Sequence, residues 1–292
     1  MFSKTWTQPS TAVSSDPIEQ LKGALASADA VVVGAGAGLS ASAGMTYSGE
    51  RFRRYFSDFQ SRYDIQDMYS GGFYPFESLE EYWAWWSRQI LVNRYEKAPK
   101  PVYGDLLKLI KDKDYFVLTT NVDHQFQLAG FGKSRLFYTQ GDYGLWQCAK
   151  PCHQQTYDNE SIVRQMLERQ KDMRIPTELI PRCPVCGEEA FPWVRGYGNF
   201  LQGRKYDEQY QKISKYIMNN KEKKILFLEL GVGRMTPMFI QEPFWNLTLN
   251  LPDAYYIAVN AQYDFLPKDI EEKGMVIKGD IAKVLKDAAK RV

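Results

Sequence analysis

The chain has 292 residues, of which 44% are hydrophobic and 25% are charged, and its formal net charge is +2. This is the composition of an ordinary globular protein, and the length suffices for one large or two modest domains. The small charge argues against a nucleic-acid backbone or an anionic membrane as partner. No apolar run approaches the ~20 residues of a membrane helix, and residues 1–16 lack the apolar core of a secretion signal. We therefore expect a cytoplasmic protein.

A glycine-rich turn follows the first predicted strand. Asp16-Pro17 predicts the start of a helix over residues 18–27, because proline is favoured in the first turn. Residues 31–44 then read as a buried strand, a tight turn and a helix whose start carries no bulky side chain. Such a helix start can hold an anion, such as the pyrophosphate of a dinucleotide. Close packing between strand and helix is the alternative explanation of the glycines.

Residues 46–100 are aromatic, charged and helical in pattern, and Ser78 to Glu81 form a capping box before a helix over residues 80–95. We expect Trp83, Trp85 and Trp86 to line a core or a cleft. A platform on which nucleic-acid bases stack is the less favoured alternative, given the near-neutral charge.

Later apolar runs alternate with helical patterns, which predicts a Rossmann-like, doubly wound parallel sheet of the α/β class. Strands are predicted at residues 31–34, 115–120, 136–139, 225–230, 255–260 and 275–280. The strand ends, where ligands of such sheets bind, are predicted at Gly34, Asn121, Gln140, Gly231, Asn260 and Gly279.

The predicted sheet divides the chain into three parts. Residues 18–45, 101–145 and 201–292 form the Rossmann-like lobe in this interpretation. Residues 46–100 form a helical insertion, residues 146–200 form a metal-binding module, and the two insertions together build a smaller lobe.

Four cysteines occur as two closely spaced pairs, Cys148 with Cys152 and Cys183 with Cys186. Two such pairs can surround one zinc ion with four thiolates, an arrangement that is closed and structural. Free thiols are the alternative, and His153 beside Cys152 could replace one ligand.

The segment after the glycine turn does not fit a dehydrogenase. Those enzymes carry an acidic residue about 20 positions after the turn, at the end of a second strand, to hold the adenine ribose. Here Glu50 lies among Arg51, Arg53 and Arg54. These arginines would suit a lid that closes over phosphates.

The set of motifs resembles the sirtuin family in order and spacing over roughly residues 18–290. The motifs are the glycine turn from Gly34 to Ser40, Thr119 to Asp123, the two cysteine pairs, Gly231 to Gly233, and Asn260. The resemblance implies that NAD binds between a Rossmann-like lobe and a zinc lobe.

The resemblance also implies roles for individual residues. Ala35, Gly36 and Ser40 would line the pyrophosphate, and Gly231 and Asn260 would lie along the adenosine half. Asn121 would contact the nicotinamide ribose, and Asp123 would hold the nicotinamide carboxamide.

The chain departs from the family at two places. Deacylating sirtuins carry a histidine base after the strand that here ends at Gln140, and neither His124 nor His153 occupies that position. Glutamine cannot take a proton near neutral pH, so we expect slow deacylation from a site without a histidine. The family's Pro-Asp-Phe-Arg is also replaced, and Phe52-Arg53 could be its displaced equivalent.

Both departures resemble the macrodomain-linked branch of sirtuins from microbial pathogens. That resemblance implies mono-ADP-ribosylation of a lipoylated glycine-cleavage H-like protein, with a macrodomain hydrolase and a lipoate ligase as functional partners. Asn121 and Gln140 would flank the reacting ribose. A lysine deacylase and a non-catalytic NAD sensor or scaffold are the alternatives.

Overall fold

The computed structural model describes residues 15–196 and 199–290. Its strands in chain order are β1 Ala30–Ala35, β2 Asp114–Thr119, β3 Leu136–Tyr138, β4 Gly141–Cys148, β5 Tyr157–Asp158, β6 Ala190–Val194, β7 Ile225–Leu230, β8 Ala254–Asn260 and β9 Gly274–Lys278. The α-helices are α1 Pro17–Ser27, α2 Ala37–Ser42, α3 Gly49–Tyr63, α4 Met68–Gly72, α5 Leu79–Ile90, α6 Val102–Ile110, α7 Gln125–Leu128, α8 Glu160–Arg169, α9 Arg204–Asn220, α10 Gln241–Asn250 and α11 Ile281–Ala289.

Six of the strands form one parallel sheet in the order β3-β2-β1-β7-β8-β9. β1 is central and buried along its whole length. Val31 and Val33 pack into one hydrophobic core, whereas Ala30 and Val32 pack into another. Successive side chains of a strand point to opposite faces, so helices cover both faces. The predicted doubly wound sheet is therefore confirmed.

Local signals explain how the first helix forms. The Asp16 carboxylate accepts a 2.9 Å hydrogen bond from the Ile18 backbone N–H at the start of α1. Leu21 and Leu25, four residues apart on one face of α1, are buried in the core that contains Val31. The cap and the apolar face together account for the predicted helix.

The inserted segments share one hydrophobic core. Phe52, Phe56 and Phe59 of α3 pack in the same cluster as Trp83 and Trp85 of α5, with residues of α8 and β6. The prediction that the tryptophans are core residues is confirmed, because their exposed fractions are at most 2%. The predicted helix over residues 80–95 changes after Ile90 into a π-helical stretch, Leu91–Tyr95.

A second sheet, which the sequence did not predict, has three antiparallel strands in the order β5-β4-β6. β4, which comes first along the chain, begins at Gly141, before residue 146, where the metal-binding module was predicted to begin. Residues 197–198 and 291–292 of the predicted domains lie outside the described residues. Within the described ranges, no helix is long and apolar enough to cross a membrane.

Candidate functional site

The glycine turn packs directly against the loop that follows β7. A Cβ atom on Gly36 would lie 2.6 Å from the Val232 Cα atom, and one on Gly38 would lie 2.7 Å from the Gly231 Cα atom. The backbone N–H groups of Gly36 and Gly38 donate to the carbonyls of Leu230 and Gly231. Close packing between two backbones therefore explains these glycines, and these two N–H groups are already hydrogen-bonded.

Asn121 joins the loop after β2 to the same turn. Its Nδ2 donates a 3.0 Å hydrogen bond to the Gly36 carbonyl oxygen. Ala35, at the end of β1, accepts hydrogen bonds from the Thr119 hydroxyl and the Thr120 N–H. Three predicted site residues, Ala35, Gly36 and Asn121, are thus brought together.

Asp123 is buried, and its carboxylate accepts hydrogen bonds from three donors. The Ser40 hydroxyl donates to its Oδ2 at 2.5 Å, the Tyr103 hydroxyl is 3.4 Å away, and the Gln125 N–H donates to Oδ1 at 3.1 Å. Burial raises the pKa of Asp123, although these hydrogen bonds oppose the rise. The Ser40 hydroxyl is directed to this carboxylate in the structure.

Gln140 lies on the turn between the two sheets. Its carbonyl accepts a hydrogen bond from the Arg195 N–H. The next residue, Gly141, has φ = +95°, and a Cβ there would lie 1.9 Å from the Trp193 carbonyl oxygen. Only glycine satisfies both conditions, so Gly141 determines where the chain leaves β3 and where Gln140 lies.

A small cavity lies between β2, β3 and β4. Its lining includes Asn121, Asp123 and Gly141 together with His124 and Asp142. It offers about 10 Å³, roughly the space of one water molecule. A nicotinamide ring could enter only if these side chains moved.

His124 belongs to a polar network with Asp142 of β4 and Arg94. Its Nδ1 lies 2.7 Å from Oδ2 of Asp142, whose Oδ1 accepts from Arg94 Nε, also at 2.7 Å. Burial raises the pKa of Asp142, but the hydrogen bond with His124 and the charge of Arg94 outweigh it, so the pKa is lowered overall. As predicted, no histidine occupies the position of Gln140 or directly follows it, but His124 from the loop after β2 lines the same small cavity as Asn121 and Asp123.

Asn260 and Gly231 lie at the far end of the same sheet edge. Asn260 Nδ2 donates to the Val232 carbonyl at 3.1 Å, and Gly231, with φ = +64°, donates its N–H to Val259. The Val232 carbonyl also accepts from the Tyr263 hydroxyl at 2.8 Å. Hydrogen bonds from Asn260 and Tyr263 therefore fix the Val232 carbonyl, and with it the loop after β7.

The arginine cluster belongs to α3 rather than to a free loop. Arg51 is half-buried and donates to the carbonyls of Thr46 and Val92 and to Asn93. Arg53 is exposed, and no hydrogen bond or ion pair links it to another residue in the described part of the chain. The structure therefore does not bring Arg53 together with the other predicted site residues.

The four cysteines converge, with their sulfur atoms within 4.8 Å of one another. The Cys148–Cys186 and Cys152–Cys183 sulfur distances are 3.6 and 3.7 Å. A tetrahedral zinc ion with bonds of about 2.3 Å requires sulfurs about 3.8 Å apart. The cluster therefore fits zinc, although His153 Nδ1 also lies 3.0 Å from the Cys152 sulfur.

Sequence reasoning missed three residues of this site: Tyr103, His124 and Asp142. A signal existed for His124, which directly follows Asp123 in the motif after β2, and for Asp142, two positions after Gln140. Tyr103 had no such signal, because it reads as one apolar position of an amphipathic helix.

No protein-family model matches the chain. A protein ADP-ribosyltransferase of Staphylococcus aureus is 36% identical over 271 residues, which cover 92% of this chain and 86% of that relative. A probable bifunctional ADP-ribose hydrolase/ADP-ribosyltransferase of Fusarium oxysporum is 29% identical over 277 residues, 89% of this chain. The match spans only 46% of that longer relative.

Solved structures of Sir2 enzymes share the fold. One superposes with a TM-score of 0.59 at 22% identity and covers 94% of this chain and 98% of the other. A Sir2 homologue in complex with NAD gives a TM-score of 0.61 at 16% identity, with coverages of 94% and 93%.

Proposed function

Because the chain belongs to the family of sirtuin-type protein ADP-ribosyltransferases, we propose that it transfers the ADP-ribosyl group of NAD to a protein and releases nicotinamide. The observation that carries this proposal is the 36% identity to the Staphylococcus aureus transferase over 92% of the chain. The loops of β1, β2, β7 and β8, which meet at one sheet edge, provide the site.

The polar groups at that edge fit a dinucleotide. Ser40 on α2, Asp123 in the loop after β2 and Asn260 at the end of β8 are buried polar side chains. Buried polar groups beyond the strand ends of such a sheet are typical of ligand sites. We assign Ala35, Gly36 and Ser40 to the pyrophosphate and Gly231 and Asn260 to the adenosine half. Zinc bound by the four cysteines would be structural, because four thiolates leave no open position.

NAD, when bound, supplies the ADP-ribosyl group and a nicotinamide that leaves as a neutral molecule. Asn121, tied to Gly36 by its Nδ2, would orient a ribose hydroxyl through its amide oxygen. Asp123 would hold the carboxamide of the leaving group, and Gln140 would orient the ribose. Such orientation places the acceptor in line with the reacting carbon.

We assign the acceptor as a lipoylated glycine-cleavage H-like protein, with a macrodomain hydrolase that removes the mark and a lipoate ligase as functional partners. The name of the Fusarium relative joins an ADP-ribose hydrolase to a transferase, which supports the hydrolase link. The lipoylated acceptor, the ligase and a cytoplasmic location remain predictions of the sequence. Arg53 as a phosphate contact also remains a prediction.

The test uses NAD labelled on its adenylate, with the H-like protein in lipoylated and unlipoylated forms. We expect label on the lipoylated protein alone, and loss of about 10²-fold or more for Asn121→Ala and Gln140→Ala. Gln165→Ala, an exposed amide on α8, is the matched control and should retain full transfer.

Two other results would contradict the proposal. Rapid release of acyl groups from acyl-lysine peptides, without label on protein, would show a deacylase. The His124 imidazole gives that alternative a possible base. Tight NAD binding with neither activity would show a sensor or scaffold.

A further inference from the structure

His124 combines an unfavourable backbone conformation with a charged network. Its φ is +63°, a left-handed conformation that costs a non-glycine residue about 1 kcal/mol or more. Its side chain makes no capping hydrogen bond to α7, the helix that it precedes. A role in capping therefore does not explain a histidine at this position.

The contacts of the ring define its chemistry. Asp142 is buried and accepts from Arg94 Nε and from the Gly144 N–H as well as pairing with His124 Nδ1. A carboxylate at Nδ1 holds the proton on that nitrogen and leaves Nε2 as the basic atom. Within residues 15–196 and 199–290, Nε2 has no hydrogen-bond partner.

The ring also borders the space where the reaction is proposed to occur. His124 lines the cavity together with Asn121 and Asp123 from the same loop and with Tyr138 and Gly141 from β3 and β4. The charged or titratable groups that face the ring are Asp142 with Arg94 behind it, Asp123 and Tyr138. An imidazole held in this way resembles the base of a nucleophile–histidine–carboxylate arrangement.

We propose that His124 is the general base of ADP-ribosyl transfer and that Asp142 positions it. This inference rests on the proposed function. Nε2 takes the proton of the acceptor nucleophile as that atom bonds to the anomeric carbon of the ribose. The bond from that carbon to nicotinamide breaks, and nicotinamide leaves with the electron pair as a neutral molecule. The imidazolium, stabilised by Asp142, later releases the proton to water.

The first test is the pH dependence of label transfer to the lipoylated H-like protein. His124→Asn is the sharpest variant, because asparagine tolerates positive φ but is not a base. We expect the wild-type rate to rise with pH through the neutral range. His124→Asn should lose 10²–10⁴-fold and show no such rise. Gln165→Ala, which changes an exposed amide on α8, should keep the rise.

Chemical rescue and NMR measure properties that would not change if His124 had only a structural role. His124→Gly leaves space for added imidazole, which should raise the transfer rate of this variant at least tenfold. With only two histidines in the chain, ¹⁵N spectra can assign each ring. Neutral His124 should carry its proton on Nδ1, and Asp142→Asn should abolish that preference.

The outcomes separate the two proposals. A wild-type chain that transfers no label overturns the proposed function and the role of His124 with it. A wild-type chain that transfers label, with His124→Asn equally active and equally pH-dependent, overturns only the role of His124. A neutral ring protonated at Nε2 does the same.

Discussion

The hydroxyl of Ser40 donates a 2.5 Å hydrogen bond to Oδ2 of Asp123 and so joins the helix after β1 to the loop after β2. Ser40 follows the predicted anion-binding turn, and Asp123 is the predicted nicotinamide contact. The hydrogen bond means that the two halves of the proposed dinucleotide site are coupled through one buried carboxylate.

Asp123→Asn should change the free energy of unfolding and the rate of transfer in two ways that can be measured separately. Burial raises the pKa of Asp123 in the folded chain, so its ionisation costs the native state free energy once the pH exceeds the ordinary carboxyl pKa. The variant should gain stability relative to wild type as the pH rises from about 4 to 8. We expect transfer to fall about 10- to 100-fold, because a hydrogen bond to a charged group is lost. Urea unfolding and label transfer measure the two effects, and equal stability differences at both pH values would contradict the first.

Gly231→Ala should disrupt the contact between the loops of β1 and β7. Gly231 has φ = +64°, and an added Cβ would lie 2.6 Å from the backbone of Gly38. Strain and overlap together should cost about 2 kcal/mol or more of unfolding free energy. Gly23→Ala in α1 is the matched control, since nothing lies within 4 Å of its added Cβ, and should stabilise by about 0.5–1 kcal/mol. Equal effects of both changes in urea unfolding would be incompatible with this packing.

Glu229→Gln should remove a pH-dependent loss of stability. Burial raises the pKa of Glu229 to about 7, although hydrogen bonds from Tyr256, Tyr263 and Gln241 oppose the rise. Since the folded pKa lies above the ordinary value, the stabilisation is present below pH 4.5 and is lost as the pH rises to 7. At pH 8 the variant should be up to about 3 kcal/mol more stable than wild type, from 1.36 kcal/mol per pKa unit. Denaturant unfolding at pH 4.5 and 8 checks this, and parallel curves would refute it.

Cys183→Ser should remove the metal from the smaller lobe. We expect one zinc ion per wild-type chain, and its loss should lower the melting temperature, because metal binding contributes folding free energy. His153→Gln should keep the metal, since the four cysteine sulfurs already have the spacing of a tetrahedral zinc site. Metal analysis of both variants distinguishes four cysteines from a set that includes the histidine. Zinc loss in His153→Gln as well as in Cys183→Ser would support the latter.

Local patterns predicted the large sheet well. Val31 to Val33 and Leu226 to Leu228 are continuous apolar runs, and strands buried on both faces require such runs. The three-stranded sheet was not predicted, because its strands β4 and β6 do not alternate between apolar and polar residues. Gly141, Trp146 and Pro192 are positions that interrupt the pattern. The candidate site was predicted in part: Asn121 comes shortly after β2 and Asn260 ends β8, whereas Arg53 follows no strand and is exposed on α3.

The sequence by itself determined the parallel sheet, the polar strand ends and the two cysteine pairs, because periodicity and short spacing carry that information. Only the tertiary structure decided which side chains meet. Asp142 reaches His124, and Tyr103 reaches Ser40 and Asp123, across gaps of 18, 63 and 20 residues. Such contacts depend on how two lobes pack around one sheet edge, and no local pattern encodes that packing. The glycine turn, which suggested a bound anion, proved also to be the surface on which the loop after β7 rests.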